Sequence, residues 1–208
     1  MNPLIEHAIA VFVAFFAIMN PIANTTVFLG LVGDKNKSEQ RKIAIKALSI
    51  TFIVILIFAV LGKSIFNLFG ITLPALRIAG GIIIFIIGYR MLQGENSKLH
   101  TVKEDSDTDL AVSPLAVPLL AGPGTIATAM NYSVSGGWIE IGITIFSFLV
   151  LCIITFYCFI FSSKILLVTG ESVLGIITRL MGLILAVIGV QMLVIGLNAA
   201  ITFSQIAS

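Results

Sequence analysis

The chain has 208 residues, of which 58% are strongly apolar and 11% charged, against about 25% charged in an ordinary soluble domain. That apolar content is what about six membrane helices of roughly 20 residues would use, and a soluble globule of this length is excluded. The net charge of +2 and a single acidic cluster in the middle also exclude a nucleic-acid-binding protein, which needs a basic patch outside the bilayer.

Hydropathy windows of about 19 residues predict six spans, over 4–33, 43–69, 72–92, 112–135, 138–163 and 173–200. The N-terminus has no basic region before its apolar run and no small-residue cleavage site, so 4–33 reads as a retained first span. It is longer than one crossing needs and contains Asn20-Pro21, while the fourth span contains Gly122-Pro123-Gly124. Proline removes a backbone donor and lipid replaces nothing, so each of these spans is predicted to be two half-helices or a helix with a re-entrant stretch. Cys152 and Cys158, six apart in the fifth span, point about 120° away from each other and read as small apolar packing residues.

Orientation follows from the basic residues. Ten of the twelve Lys and Arg fall on the side of the first, third and fifth connections, leaving Lys63 and Arg77 opposite. The positive-inside rule then places both termini outside. The polar run from Gln93 to Asp109 has no apolar face to bury and is expected to be a flexible cytoplasmic linker. The chain divides accordingly into a first three-helix unit (1–93), a linker (94–111) and a second three-helix unit (112–208).

The two units echo each other. At an offset of 102, Pro21 falls on Pro123, Arg77 on Arg179 and Gly80 on Gly182; at 101, Gly88 falls on Gly189, Met91 on Met192 and Leu92 on Leu193. Three spans per unit is an odd number, so the second unit crosses in the opposite sense: an inverted-topology repeat. Inverted halves whose first helices are both interrupted by Pro or Gly point to a secondary transporter with a site at the midplane.

Asn20, Pro21, Asn24 and Thr25 in the first break, and Gly122, Pro123, Gly124 and Thr125 in the second, are therefore the candidate substrate-binding residues. The side chains offer polar lining, and the free amides of a half-helix N-terminus suit a carboxylate. A proline kink capped by its neighbours, or a gating hinge, fits the same residues. Arg77 and Arg179 sit inside the third and sixth spans, where an unpaired charge is costly. They are candidates for a carboxylate partner or a gate, or for capping freed carbonyls and reaching headgroups. Asn131, Gln191 and Asn198 read as interhelical hydrogen bonds. Gly81 and Gly88, and Gly182, Gly189 and Gly196, recur every seven residues, a small-residue stripe that lets backbones pack closely.

No acidic pair lies within a span, and there is no His-x-x-x-His, cysteine cluster, nucleophile elbow or phosphate loop. The expectation is no enzyme, no metal and no cofactor.

The block Pro114-Leu-Ala-Val-Pro-Leu-Leu-Ala-Gly-Pro-Gly-Thr-Ile126, with Asn20-Pro21-Ile22, Arg77-Ile-Ala-Gly-Gly81 and Ile177-Thr-Arg-Leu-Met-Gly182, closely resembles the MarC family (UPF0056 type) of bacterial and archaeal multi-pass membrane proteins over essentially the whole chain. The resemblance implies a six-span plasma-membrane protein, and some relatives are described as transporters of small neutral amino acids such as glycine and alanine. Others carry an old association with antibiotic resistance. Two departures stand out: many relatives have Asp-Pro where this chain has Asn20-Pro21, and Gly where it has Ala23. The first removes a midplane carboxylate. The expected function is a secondary transporter or exporter of small solutes, most plausibly small neutral amino acids. A channel, or a non-transporting membrane scaffold or sensor, is the alternative. The expected partners are the lipid bilayer and a small-molecule substrate.

Overall fold

A computed structural model describes residues 3–70, 72–94, 120–134 and 137–207, and all the regular structure among them is helical. Seven helices follow in order: α1 (Pro3–Met19), α2 (Pro21–Val32), α3 (Lys37–Phe69), α4 (Leu73–Leu92), α5 (Pro123–Val134), α6 (Trp138–Ile160) and α7 (Ser162–Ala207). Five stretches of the described residues are long and apolar enough to cross a membrane: Leu4–Val32, Lys37–Gly62, Leu73–Leu92, Trp138–Ile160 and Ser172–Thr202. The predicted fourth span is described only from Leu120 onward, and the 12 residues of α5 are too few to cross alone. Residues 112–119, and the predicted linker apart from its first residue, lie outside the described residues.

Where helix ends differ from the hydropathy reading, capping chemistry is the reason. α3 begins at Lys37 and not near 43, because the side chain of Asn36 accepts from the Glu39 amide at 2.9 Å and starts a charged first turn that hydropathy does not register. The side-chain amide of Gln40 then donates to the carbonyls of Val32 and Lys35, both at 3.0 Å, tying the end of α2 to the start of α3. α4 starts where Thr72 accepts from the Ala75 amide at 3.3 Å, just before Pro74. At the head of α6, Glu140 accepts from the Gly137 amide at 2.7 Å. α7 extends beyond the predicted 173–200 at both ends and is interrupted at Gly170, whose φ of 72° and ψ of 160° no other residue adopts readily.

The predicted glycine stripes form an antiparallel seam between α4 and α7. A methyl group added at Gly81 would lie 2.7 Å from the Gly189 carbonyl oxygen, and one added at Gly88 would lie 2.6 Å from that of Gly182. Only hydrogen fits at these crossings. The contacts are also reciprocal. At the offset of 101, one residue away from the register that pairs Gly80 with Gly182, Gly81 corresponds to Gly182 and Gly88 to Gly189, so Gly81 faces the counterpart of Gly88 and Gly88 faces the counterpart of Gly81. The pattern continues outward: Gly196 packs on Arg77, and Gly94 lies beside the guanidinium of Arg179. Self-complementary contact of this kind is what a two-fold relation between two helices produces.

α2 packs on α6 and α7, while α5, which also has 12 residues beginning on proline, packs on α3 and α4. α3 and α6 pack on each other. Thr51 donates to the Ala47 carbonyl at 2.9 Å and Thr155 to the Leu151 carbonyl at 2.8 Å, the same bond 104 residues apart. One apolar core joins α1, α2, α3 and α6, with the rings of Phe28 and Phe159 stacked at 4.4 Å and Phe15 edge-on to Phe148 at 4.9 Å. A second, around Ala17, Ile84, Met91, Leu185 and Met192, lies where α1 meets the α4–α7 seam. Ile53, Phe146, Leu183 and Val187 are among many large apolar side chains left exposed, a surface suited to lipid.

Candidate functional site

The first break is one residue long. Asn20 adopts φ 38° and ψ 65°, a left-handed conformation that asparagine tolerates better than most residues. The helical ladder resumes at once on either side: the Asn20 amide donates to the Phe16 carbonyl at 2.9 Å, and the Asn24 amide donates to the Asn20 carbonyl at 3.0 Å. The break does disturb the carbonyls between them. The Ala23 amide turns to the side chain of Asn20 at 3.4 Å, and the Met19 carbonyl instead accepts from the side-chain amide of Asn24 at 2.6 Å. The Thr25 hydroxyl donates to the Ile22 carbonyl at 2.5 Å.

The second break repeats this repair. The Thr125 hydroxyl donates to the Leu120 carbonyl at 3.0 Å, again reaching five residues back across the proline, and the Ile126 amide donates to the Gly122 carbonyl at 3.1 Å. Asn24 and Thr125 thus carry the same bond at an offset of 101. Both are buried, as are Asn20, Thr25 and Thr128.

The two breaks meet. A methyl group added at Gly124 would lie 2.5 Å from Cδ1 of Ile18 and 2.8 Å from Cδ1 of Ile87, so the start of α5 rests on the end of α1 and the middle of α4. Thr155 of α6 closes another side, its hydroxyl 3.8 Å from the sulfur of Met19. The side-chain nitrogen of Asn20, a residue only 3% exposed, has no hydrogen-bond partner among the described residues. A buried donor left this way costs about 1–3 kcal/mol, which an arriving acceptor would return.

The two arginines are not part of this contact, and they differ. Nε of Arg77 donates to Oδ1 of Asn131 at 3.1 Å, joining α4 to α5. The next residue, Tyr132, meets His7 of α1 edge-on with ring centroids 5.7 Å apart, so α5 is held at the end of the bundle where α1 begins. Arg179 lies at the other end of the α4–α7 seam, exposed, with no hydrogen-bond partner among the described residues. At offset 102 the counterpart of Asn131 is Leu29, whose side chain has no acceptor to offer.

Several buried polar groups of α5 and α6 escaped the sequence reading. Thr128 and Ser133 of α5 and Thr155 of α6 are buried, and the Ser133 hydroxyl has no partner among the described residues. A signal for Thr155 existed: Ile50-Thr51-Phe52 recurs as Ile154-Thr155-Phe156 at an offset of 104. His7 gave none, because its ring partner is 125 positions away. No group of three or more metal-ligating side chains occurs among the described residues.

Residues 5–201 match the family described as MarC family integral membrane protein. The UPF0056 membrane protein YvbG of Bacillus subtilis is 40% identical over 188 residues, covering 86% of this chain and 88% of its own. A UPF0056 membrane protein of Pyrococcus horikoshii is 34% identical, covering 87% and 89%, and the UPF0056 inner membrane protein MarC of Salmonella typhimurium is 32% identical, covering 81% and 84%. No solved structure matches.

Proposed function

We propose that this chain, which belongs to the MarC family of integral membrane proteins, is a secondary transporter of small solutes, with its site where the two proline breaks meet. The observation that carries the reading is the Asn20 side-chain nitrogen: a donor buried at a helix break, without a partner among the described residues, in a chain that otherwise caps its broken carbonyls. It calls for an acceptor such as a carboxylate. The buried polar side chains at the two breaks, Asn20, Asn24, Thr25 and Thr125, are short, and the substrate class this reading assigns is small neutral amino acids such as glycine or alanine.

The architecture in this proposal is six spans in two inverted repeats. The reciprocal glycine contacts, the paired prolines and the matched carbonyl caps support it. Ten basic residues against two support a plasma-membrane orientation with both termini outside. Asn24, Thr25 and Thr125 then act mainly by holding the broken helices in shape, and Asn20 by meeting the substrate.

The test is flux of labelled glycine and alanine into liposomes carrying the pure chain. The expected result is saturable uptake with counterflow, lost in Asn20→Leu. Single-channel currents would establish a pore in its place. No flux of any small amino acid, with or without a pH gradient, would remove the substrate assignment.

A further inference from the structure

A groove of about 570 Å³ runs between α3 and α6, within the roughly 300–1,000 Å³ of ordinary ligand sites. Leu48 and Cys152 form its buried floor, and Ile45 and Ile53 of α3 face Ile153 and Tyr157 of α6 along its exposed walls. The lining is aliphatic and aromatic apart from the Ser49 and Tyr157 hydroxyls and the Cys152 thiol. Such a channel suits a hydrocarbon chain and offers little to a zwitterion.

Charge distinguishes its two ends. Ile53, Ser49, Lys46 and Lys42 follow one another at helical spacing on a single strip of α3, so the groove wall runs directly into two exposed lysines, with Glu39 a turn beyond. On the other side, the strip of Leu149, Ile153 and Tyr157 continues to Phe161, and Lys164 Nζ lies 5.9 Å above that ring. Phe52 of α3 meets Phe148 of α6 with ring centroids 6.5 Å apart, while Gln40 at the head of α3 bonds the end of α2, whose Phe28 stacks on Phe159 further along α6, so α3 and α6 run antiparallel. Both strips therefore reach their lysines at the same end.

We propose that this groove binds one acyl chain of an anionic phospholipid, whose phosphate is held between Lys42, Lys46 and Lys164. The assignment does not depend on transport. Lysines at the head of an apolar groove attract an anionic headgroup, and their stems extend the groove's apolar walls.

The experiment uses the full chain in mild detergent, stripped of lipid and titrated with phosphatidylglycerol or phosphatidylcholine of identical acyl chains, with bound lipid read by native mass spectrometry. Phosphatidylglycerol is expected to be retained at least about tenfold better at low salt. Lys42→Gln/Lys46→Gln/Lys164→Gln brings the two lipids to parity while its melting temperature shows the fold intact. Ser49→Trp, which fills the groove, lowers retention of both. Equal retention by the native chain, an undiminished preference in the lysine variant, or full displacement by soluble glycerol phosphate would overturn the proposal. So would a Ser49→Trp variant that changes oligomeric mass but leaves lipid retention untouched, which would make the groove a self-association face.

Discussion

Arg77 and Asn131, 54 positions apart, are joined by a 3.1 Å hydrogen bond that ties α4 to the tip of α5. The charge it partners sits in a half-buried position, where an unmatched guanidinium is expensive. Asn131→Leu should therefore destabilise the fold by about 1–3 kcal/mol in a detergent melt. Arg179→Gln, which removes an exposed group at the opposite end, should move stability by less than about 0.5 kcal/mol.

The α4–α7 seam predicts a split among glycines. Gly88→Ala and Gly182→Ala push a methyl group to within 2.5–2.7 Å of backbone atoms on the facing helix and should each cost about 1–3 kcal/mol, with Val at either position yielding little folded protein. Gly142→Ala and Gly175→Ala meet nothing within 4 Å and should be neutral or slightly stabilising. Expression level and melting temperature of the four variants read this directly.

Asn24→Leu and Thr125→Val remove matching donors from carbonyls freed by the breaks. Each should lower stability by about 1–3 kcal/mol, and Thr125→Ser should restore most of it. Thr26→Ala, at an exposed hydroxyl on the same helix, should change the melt little.

At Asn20 stability and function are expected to part. Glycine takes the left-handed conformation without strain and carries no buried amide to leave unpaired, so Asn20→Gly should raise stability by up to about 1 kcal/mol while abolishing uptake. Asn20→Ala keeps the positive φ with a Cβ and has no side chain to cap Ala23, and should lose both. Parallel melts and flux assays on the two variants check the separation.

Much of this arrangement was legible in the chain. Pro21 and Pro123 mark the breaks because proline's missing donor is a local fact, and the seven-residue glycine spacing marks the seam because helical periodicity is local as well. Partner choice was not legible. Nothing near Asn131 says that it faces Arg77, and nothing near His7 says that it faces Tyr132, since both pairs depend on which helices become neighbours. The polar residues of the breaks read equally well as ligands or as caps; Asn24 caps the Met19 carbonyl and Thr125 that of Leu120, whereas the Asn20 side-chain nitrogen has no partner among the described residues. The early start of α3 was missed because its first turn is charged, and the 104-residue echo of Ile-Thr-Phe was hidden by a register two residues away from that of the prolines.

The reciprocity of Gly81 with Gly189 and Gly88 with Gly182 has a consequence for fragments of the chain. A surface that matches its own inverted counterpart needs only one copy of the patch to encode both sides. Residues 1–93 already hold Gly81 and Gly88, so two such fragments inserted in opposite directions would present the glycines that the intact chain supplies from its second half. The crossing of α4 on α7 thus draws its glycines from both ends of the chain, Gly81 and Gly88 from one and Gly182 and Gly189 from the other.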